Sequence, residues 1–561
     1  MKYDLKYLSV PLPEEIQRVK EFGDFASADT AIDFWLTKEL PQALKERLII
    51  EKDVIKMMRM NEYPHSFAKA DQMMRDTFQD YQTEELIRLK ETGLADWVYI
   101  DGEPYFQLRF LANLIKTNAA YVARLREAES NQLEILRKKE LKENIEQMQK
   151  NGGRKVRTTI KATIQVKKEF ERPGERVRVH LPLPKACQQQ SEIEILATSP
   201  EATYIAAEDA PQRTLCFETI LKENQTFTVE YCYVNRMVYQ QLEESNVDKM
   251  QPSFDLEEQL PHIRFTPYLR NLADEIMGDE SNPLKKARLI YDFVTTKIHY
   301  SFMREYFTIS NISEYAATNL KGDCGVQAIL FITLCRIAGI PAKWQSGLYV
   351  STHYTGCHDW AQFYIEPYGW LFADLSFGGG AYRDGDRQRW NHYFGNLDVF
   401  RMVANSEIQA DFQPAKMQLR ADPIDNQRGE FEYENEGLPY ACLNNAIELM
   451  RKGDYELSVG MWGPDYQDPM TFLESSVSGN RMNYSSPTFD QLIEEATTKY
   501  ANDPETRWQT LIKAEKVLVE EDAALIPLYQ EARSQLIRPG VKGIQYHNFG
   551  ATSTYKYAYK E

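Results

Sequence analysis

The stretch KGDCGVQAILFITLCRIAGIPAKWQSGLYVSTHYTGCHDWAQFYIEPYGWLFADLS, residues 321–376, joins one apolar helix pattern to three strand patterns. Cys324 stands at the start of the predicted helix, His358 opens the second predicted strand, and Asp374 lies in the third. A thiol nucleophile, an imidazole base and a carboxylate that orients the base are the parts of a cysteine acyl-transfer site. We therefore expect the chemistry of this chain to lie in this stretch.

The predicted helix covers residues 325–338, and Gly339 ends it. The first amides of a helix have no partners within it and point outward, so they can stabilise a thiolate and lower the pKa of a cysteine. Cys335 lies on the apolar body of this helix, which predicts a packing role. The strands that follow are predicted over residues 342–350, 358–366 and 371–376.

The relation between His358 and Asp374 depends on the turn that joins their strands. If Pro367-Tyr368-Gly369 forms the loop, Glu366 lies opposite Trp370, and the two side chains share one face of the hairpin. A two-residue loop would place them on opposite faces. The hairpin is therefore consistent with a base and its orienting carboxylate, without establishing their contact.

A zinc site is the competing interpretation of the same stretch. Its ligands would be Cys324, Cys357, His358 and Asp374, but their spacing matches no common zinc-binding pattern. The seven cysteines of the chain are scattered, without paired CxxC spacing. Such spacing favours free thiols in a reducing compartment over a disulfide framework. We predict neither a metal nor another cofactor.

Composition limits the class of protein further. A length of 561 residues is too great for one core, and a net charge of −17 argues against general nucleic-acid binding, which needs a basic surface. The first residues contain no apolar run of signal-peptide length, and no window is apolar enough to span a membrane. We expect a cytoplasmic protein whose partners are peptide or protein substrates, and the oligomeric state stays open.

Upstream of the predicted site, the sequence changes from helical to strand patterning. Residues 1–153 predict a helical domain, with an Asp101-Gly102 hairpin turn and one long helix over residues 111–150. Residues 154–240 alternate apolar and polar side chains in several runs, which predicts a β-sandwich. His180, on the polar face of one such strand, is expected at the surface.

Three motifs give the predicted site a family resemblance. The runs KGDCGVQAILFITLCRIAGIPA, CHDWAQFYIE and YGWLFADLS resemble the G-x-C, H-x-W and G-W…D elements of transglutaminase-like cysteine enzymes. The resemblance implies a papain-like α+β core over about residues 255–435, preceded by the sandwich. It also implies Cys324 as nucleophile, His358 as base and Asp374 as orienting residue. Trp360, of the H-x-W element, is placed beside the substrate, and Tyr315 is a candidate oxyanion donor.

The last part of the chain, residues 446–561, carries a second resemblance. The runs WGPDYQDPMTFL, NYSSPTFDQLI and AEKVL, followed by IPLY and PGVKG, resemble the C-terminal end of oligopeptide-binding proteins of bacterial ABC importers. The family implies that Asp465 pairs with the ammonium group of a peptide, with Trp462 beside it. Asp503 is expected to cap a helix whose buried stripe comprises Trp508, Leu511, Ile512, Ala514, Val517 and Leu518.

Together these patterns predict a multidomain α+β protein. Its parts are a helical domain over residues 1–153, a β-sandwich over 154–240, a transglutaminase-like core over 255–435, and a partial binding-protein-like segment over 446–561. The predicted function is hydrolysis of peptide or amide bonds through a thioester intermediate. Two alternatives stay open: acyl transfer from a protein glutamine to an amine, and non-enzymatic peptide binding related to oligopeptide transport.

Overall fold

The computed structural model describes residues 4–126, 132–450, 468–478, 484–527, 540–546, 553–554, 556 and 559–560. The chain divides into two compact units, Met1–Leu449 and Met450–Glu561. Both helices and sheets build the larger unit, so the α+β class predicted from the sequence is confirmed. Within the described residues no helix is long and apolar enough to cross a membrane.

The N-terminal part of the first unit is mainly helical. Its Asp101-Gly102 turn joins two short strands, and both turn residues have positive φ values of 51° and 87°. The predicted long helix is interrupted, because the first segment ends at Thr117 and Asn118 has extended backbone angles. The helices of eight or more residues are Glu14–Glu21, Phe25–Leu36, Gln42–Met57, Phe67–Thr77, Thr83–Glu91, Phe110–Thr117 and Gln132–Asn151.

Two antiparallel sheets form the sandwich, and both recruit strands from beyond residue 240. One sheet has the order Glu436–Leu438, Glu430–Tyr433, Arg176–Pro182, Thr214–Ile220, Tyr204–Ile205. The other has the order Leu443–Met450, Gly153–Val166, Phe227–Val238, Gln190–Ser199. The sandwich is therefore not complete within residues 154–240, since strands from residues 430–450 add to both sheets.

The expectation of a surface position for His180 is wrong. Its side chain is fully buried, and Nε2 lies 3.0 Å from the carbonyl oxygen of Pro414. The ring also packs against Phe412, with 4.9 Å between ring centroids. Burial lowers the pKa of His180 to about 3. The covering residues come from a distant part of the chain, which strand periodicity cannot reveal.

The core that carries the predicted site is a five-stranded sheet with helices. The sheet order is Phe394–Gly395, Gly369–Ala373, Thr355–Ile365, Ala342–Val350, Arg401–Asn405, and all paired neighbours are antiparallel. The Cys324–Ile337 helix packs on the two middle strands, where Phe331 meets Phe363 at 5.8 Å between ring centroids. The other helices are Pro267–Met277, Pro283–Lys297, Ile312–Asn319, Leu375–Arg383 and Arg387–His392.

The hairpin between the second and third strands differs from the prediction by one position. Trp370 pairs with Tyr364 rather than with Glu366, and Ile365 pairs with Gly369. The loop still has three residues, 366–368, so the parity argument holds. His358 and Asp374 therefore lie on the same face of the hairpin.

The second unit is described only in part, and its helices Pro487–Thr497 and Pro504–Lys516 pack together. Asp503 caps the second helix by accepting a hydrogen bond from the amide of Thr506 at 3.2 Å, as expected. The predicted buried stripe is correct at Leu511, Ala514, Val517 and Leu518. It is wrong at Trp508 and Ile512, which are 50% and 42% exposed.

Candidate active site

Cys324 is the first residue of the helix that packs on the central sheet, one residue from the predicted start. Asp323 caps this helix, because its Oδ1 accepts a hydrogen bond from the amide of Val326 at 3.2 Å. Gly339 ends the helix with a positive φ of 76°, as predicted. Cys324 is partly exposed, whereas Cys335 is fully buried in the core. The sequence pattern therefore placed both cysteines correctly.

The thiol of Cys324 contacts a carboxylate rather than the imidazole. Sγ donates a hydrogen bond to Oδ2 of Asp359 at 3.1 Å. Among the described residues, no hydrogen bond joins Cys324 to His358. Burial, followed by the negative charges of Asp359 and Asp323, raises the pKa of the Cys324 thiol well above its usual range. This direction is opposite to the one expected from the helix start alone.

Gly325 makes the contact between the thiol and Asp359 sterically feasible. A Cβ atom at this position would lie 2.8 Å from Oδ2 of Asp359 and 2.3 Å from the hydroxyl oxygen of Tyr306. The hydroxyl group of Tyr306 in turn donates to Oδ1 of Asp323 at 2.6 Å. The site is therefore packed so closely that only glycine fits after the cysteine.

His358 and Asp374 form a buried pair held by a third charged group. Nε2 of His358 lies 2.7 Å from Oδ2 of Asp374, and Nη1 of Arg401 lies 2.9 Å from the same oxygen. Although burial raises the pKa of Asp374, His358 and Arg401 hold it below its usual value. Burial lowers the pKa of His358 despite the opposing effect of Asp374. The imidazole is therefore neutral at pH 7 and oriented by a carboxylate.

Aromatic side chains surround the imidazole of His358. The ring centroids of Phe377, Trp360 and Tyr349 lie 4.7, 5.9 and 6.5 Å from it. Trp360 is fully buried, and its Nε1 donates to Oε1 of Gln345 at 2.9 Å. Trp360 therefore supports His358 from within the core and has no exposed surface for the expected contact with a substrate.

His358 and Asp359 are neighbours on one strand and face opposite sides of the sheet. Asp359 shares its face with Phe363, on which the Cys324–Ile337 helix packs. His358 shares the other face with Trp360, which is paired with Gln345 across the strands. In this structure the thiol is therefore bonded to the residue next to its proposed base, and not to the imidazole itself.

Asp359 belongs to a cluster of buried acidic groups. Its Oδ1 accepts a hydrogen bond from Nε2 of Gln427, and its carboxyl also interacts with Asp425. Burial, followed by the charges of Asp425 and Asp323, raises the pKa of Asp359 well above its usual value. The sequence analysis did not identify Asp359 or Arg401. Asp359 carried a weak signal, as the polar residue inside the H-x-W element, whereas Arg401 carried none.

The remaining predicted site residues make other contacts or lie outside the described part of the chain. Tyr315, the candidate oxyanion donor, has the guanidinium carbon of Arg304 5.8 Å from its ring centroid. The tyrosine that bonds to Asp323, the cap of the Cys324 helix, is Tyr306. Cys357 accepts a hydrogen bond from Nε of Arg428 at 3.4 Å. Among the described residues, no group of three or more histidine, cysteine or acidic side chains is arranged to hold a metal. Trp462 and Asp465 are not among the described residues.

Comparisons with known proteins support both resemblances. The model of the transglutaminase-like superfamily matches residues 270–375, which include Cys324, His358 and Asp374. A periplasmic murein peptide-binding protein of Escherichia coli is 32% identical over 105 residues, covering 18% of this chain and 19% of the relative. A dipeptide-binding protein of Bacillus subtilis is 37% identical over 110 residues, covering 19% and 20%. The chain spans about a fifth of the length of these curated relatives.

One solved structure covers a larger share of the chain. It was determined as a candidate cysteine protease from Cytophaga hutchinsonii, and it aligns with 55% of this chain and 94% of its own, at 15% identity and a TM-score of 0.34. The two resemblances predicted from the sequence are confirmed by the family model and by the curated relatives. Residues 270–375 therefore form a transglutaminase-like domain, in a chain that also resembles, over a shorter segment, bacterial peptide-binding proteins.

Proposed function

We propose that the transglutaminase-like domain is a cysteine hydrolase of peptide or amide bonds. The observation that carries the proposal is the buried pair of His358 and Asp374, 2.7 Å apart, in the same domain as a partly exposed cysteine at a helix start. The neutral imidazole can accept a proton, and Asp374 stabilises the imidazolium that results. The helix begins at Cys324, so its first amides have no partners within the helix and are available to stabilise an oxyanion.

In the proposed reaction the thiol first leaves Asp359 and passes its proton to His358. The thiolate of Cys324 then attacks the carbonyl carbon, and the imidazolium of His358 protonates the leaving amine. A thioester forms, and water, deprotonated by His358, releases the acid and restores the thiol. In this proposal the structure represents a resting state, because the thiol of Cys324 keeps its proton while it is bonded to Asp359.

Acyl transfer to an amine would use the same residues and differs only in the acceptor. Mass spectrometry of a peptide library incubated with the protein, with and without an added primary amine, separates the two outcomes. We expect shortened or deamidated peptides in both samples, and no adduct with the amine. Cys324→Ala should remove all products, whereas Cys357→Ala should retain them. Products that persist in Cys324→Ala would refute the proposal.

Peptide binding without catalysis is the second candidate function, because the curated relatives include peptide- and dipeptide-binding proteins. In that case the C-terminal segment would hold the amino group of a peptide through Asp465, with Trp462 beside it. Titration of short peptides against Cys324→Ala, with and without Asp465→Ala, tests this role. Equal affinities of the two variants would show that Asp465 does not contribute to peptide binding.

A further inference from the structure

Two cations of the helical region lie beside the segment that leads to the nucleophile. The guanidinium carbon of Arg109 is 3.9 Å from the ring centroid of Phe302, and Nζ of Lys116 is 4.3 Å from that of Tyr300. Both cationic residues are exposed. We call these four residues, Arg109, Lys116, Tyr300 and Phe302, the cationic wall.

The cationic wall is fixed relative to Cys324 by hydrogen bonds. Asn113, in the Phe110–Thr117 helix, accepts from the amide of Phe302 at 2.6 Å and donates to its carbonyl oxygen at 3.0 Å. Tyr300 pairs with Gly322, two residues before Cys324, in a short parallel ladder. The helical region is thus held against the segment that precedes the nucleophile, so its cations keep a defined place beside the thiol.

Neither of the two cations is held in a close ion pair. Among the described residues, neither Arg109 nor Lys116 has an ion-pair partner within 4 Å. Their charges act on the site: burial raises the pKa of Asp323, whose carboxyl lies next to Cys324, and Arg109 opposes that rise. Lys116 interacts electrostatically with Cys324 itself. Exposed, unpaired cations over aromatic rings, beside a nucleophile, are suited to an anionic ligand.

A further cation lies on the side of the base. The guanidinium carbon of Arg137 is 5.7 Å from the ring centroid of Phe377, which packs against His358. Arg137 is paired with Glu134 at 2.7 Å, so it contributes less net charge than the cationic wall. Of these three cations, Arg109 and Lys116 are therefore the two without an ion-pair partner among the described residues.

We propose that Arg109 and Lys116 bind a carboxylate of the peptide substrate, close to the bond that Cys324 attacks. The substrate class is then peptides with an anionic group next to the scissile bond, either an acidic side chain or a free C-terminus. This inference rests on the proposed hydrolase function for its substrate. The planar guanidinium of Arg109 can bind a carboxylate through two hydrogen bonds, and the rings of Tyr300 and Phe302 hold both cations in place.

A first test needs no turnover. Iodoacetate and iodoacetamide both alkylate a thiolate with loss of iodide, but only iodoacetate carries a carboxylate. The ratio of the two rates at Cys324, followed by mass spectrometry, therefore reports attraction of an anion and cancels changes in thiol pKa. Lys116→Gln should lower this ratio about threefold, as expected for one charge removed near the site. Lys90→Gln is the matched control, because Lys90 lies 4.3 Å from the ring of Trp97, elsewhere in the helical region.

A second test uses substrates. Matched peptides that end in a free acid or an amide, and peptides that differ only by Glu or Gln beside the scissile bond, identify the source of the carboxylate. We expect the ratio of kcat/KM for the acidic peptide to kcat/KM for its neutral counterpart to fall in Lys116→Gln and in Arg109→Gln, and to stay unchanged in Lys90→Gln. An alkylation ratio and an acid preference that are both unchanged in these variants would overturn the inference. If no peptide is cleaved, the hydrolase proposal fails, and the alkylation ratio still decides whether the wall attracts an anion.

Discussion

Sγ of Cys324 donates a hydrogen bond to Oδ2 of Asp359 at 3.1 Å, while the neighbouring residue His358 is bound to Asp374 on the other face of the strand. The nucleophile is thus held as a thiol by a carboxyl group, separately from its proposed base. A helix start alone would favour the thiolate. Here burial and two nearby carboxyl groups have the larger effect and raise the pKa of the thiol.

Replacing Asp359 with Asn should make Cys324 more reactive. The substitution removes the ionisable carboxyl group whose charge favours the protonated thiol, while the side chain keeps its shape and one acceptor oxygen. We expect the midpoint of the pH profile for alkylation of Cys324 by iodoacetamide to fall by about one unit, which corresponds to about 1.4 kcal/mol. Asp76→Asn, at an exposed position of the Phe67–Thr77 helix, is the control. An unchanged midpoint would show that Asp359 does not set the pKa of the thiol.

Asp374 has two separable roles, one in orienting His358 and one in capping a helix. Its Oδ1 accepts from the amide of Phe377 at 2.9 Å, at the start of the Leu375–Arg383 helix. Asp374→Asn keeps a capping oxygen but cannot stabilise the imidazolium, so turnover should fall about a hundredfold or more. Asp374→Ala should lose a further ~1 kcal/mol of unfolding free energy. Full activity in the Asn variant would contradict the proposed role.

His262 should make the unfolding free energy depend on pH. It is fully buried, neither ring nitrogen has a hydrogen-bond partner in the described residues, and burial lowers its pKa to about 3. In the unfolded chain His262 binds a proton near pH 6.5, whereas in the folded chain it stays neutral at that pH. His262 therefore destabilises the fold as the pH falls through 6.5. Between pH 7 and 5 the loss is about 2 kcal/mol for one such histidine.

The measurement compares urea unfolding of the wild type and of His262→Leu at both pH values. Buried carboxyl groups with a raised pKa, such as Asp323 at about 6, stabilise the fold as the pH falls and so oppose the effect of His262. The difference between the two proteins therefore tests His262, whereas the pH trend of the wild type alone does not. We expect the variant to lose less stability than the wild type on going to pH 5. Parallel losses in the two proteins would contradict the assignment.

Glu430 should contribute strongly to the stability of the sandwich. Its carboxylate binds Lys416 at 2.8 Å and Arg420 at 2.9 Å, and all three side chains are buried. Glu430→Ala leaves two buried cations without their counter-charge, which should cost about 3–5 kcal/mol in urea unfolding. Glu223→Ala removes an exposed partner of Lys168 and should cost at most about 1 kcal/mol. Similar effects of both substitutions would argue against a structural role for the buried triad.

Local patterns in the sequence predicted much of the architecture. Features that depend on residues close in the chain were predicted nearly or fully correctly. They are the start and end of the Cys324 helix, the Asp101-Gly102 turn and the Asp503 cap. The interrupted helix near Asn118 and the exposed Trp508 were not predicted. In these cases the periodicity of the sequence was compatible with more than one structure, and packing decided between them.

By itself the sequence determined the helix and strands that carry the candidate residues Cys324, His358 and Asp374, because helix caps, turns and strand alternation act over a few residues. The tertiary structure decided which of these side chains meet. Three contacts join residues that are far apart in the chain: Cys324 with Asp359, Arg401 with Asp374, and His180 with Pro414. The direction of the pKa shift at Cys324 followed from those contacts, since burial and neighbouring charges set it and a single stretch of sequence specifies neither.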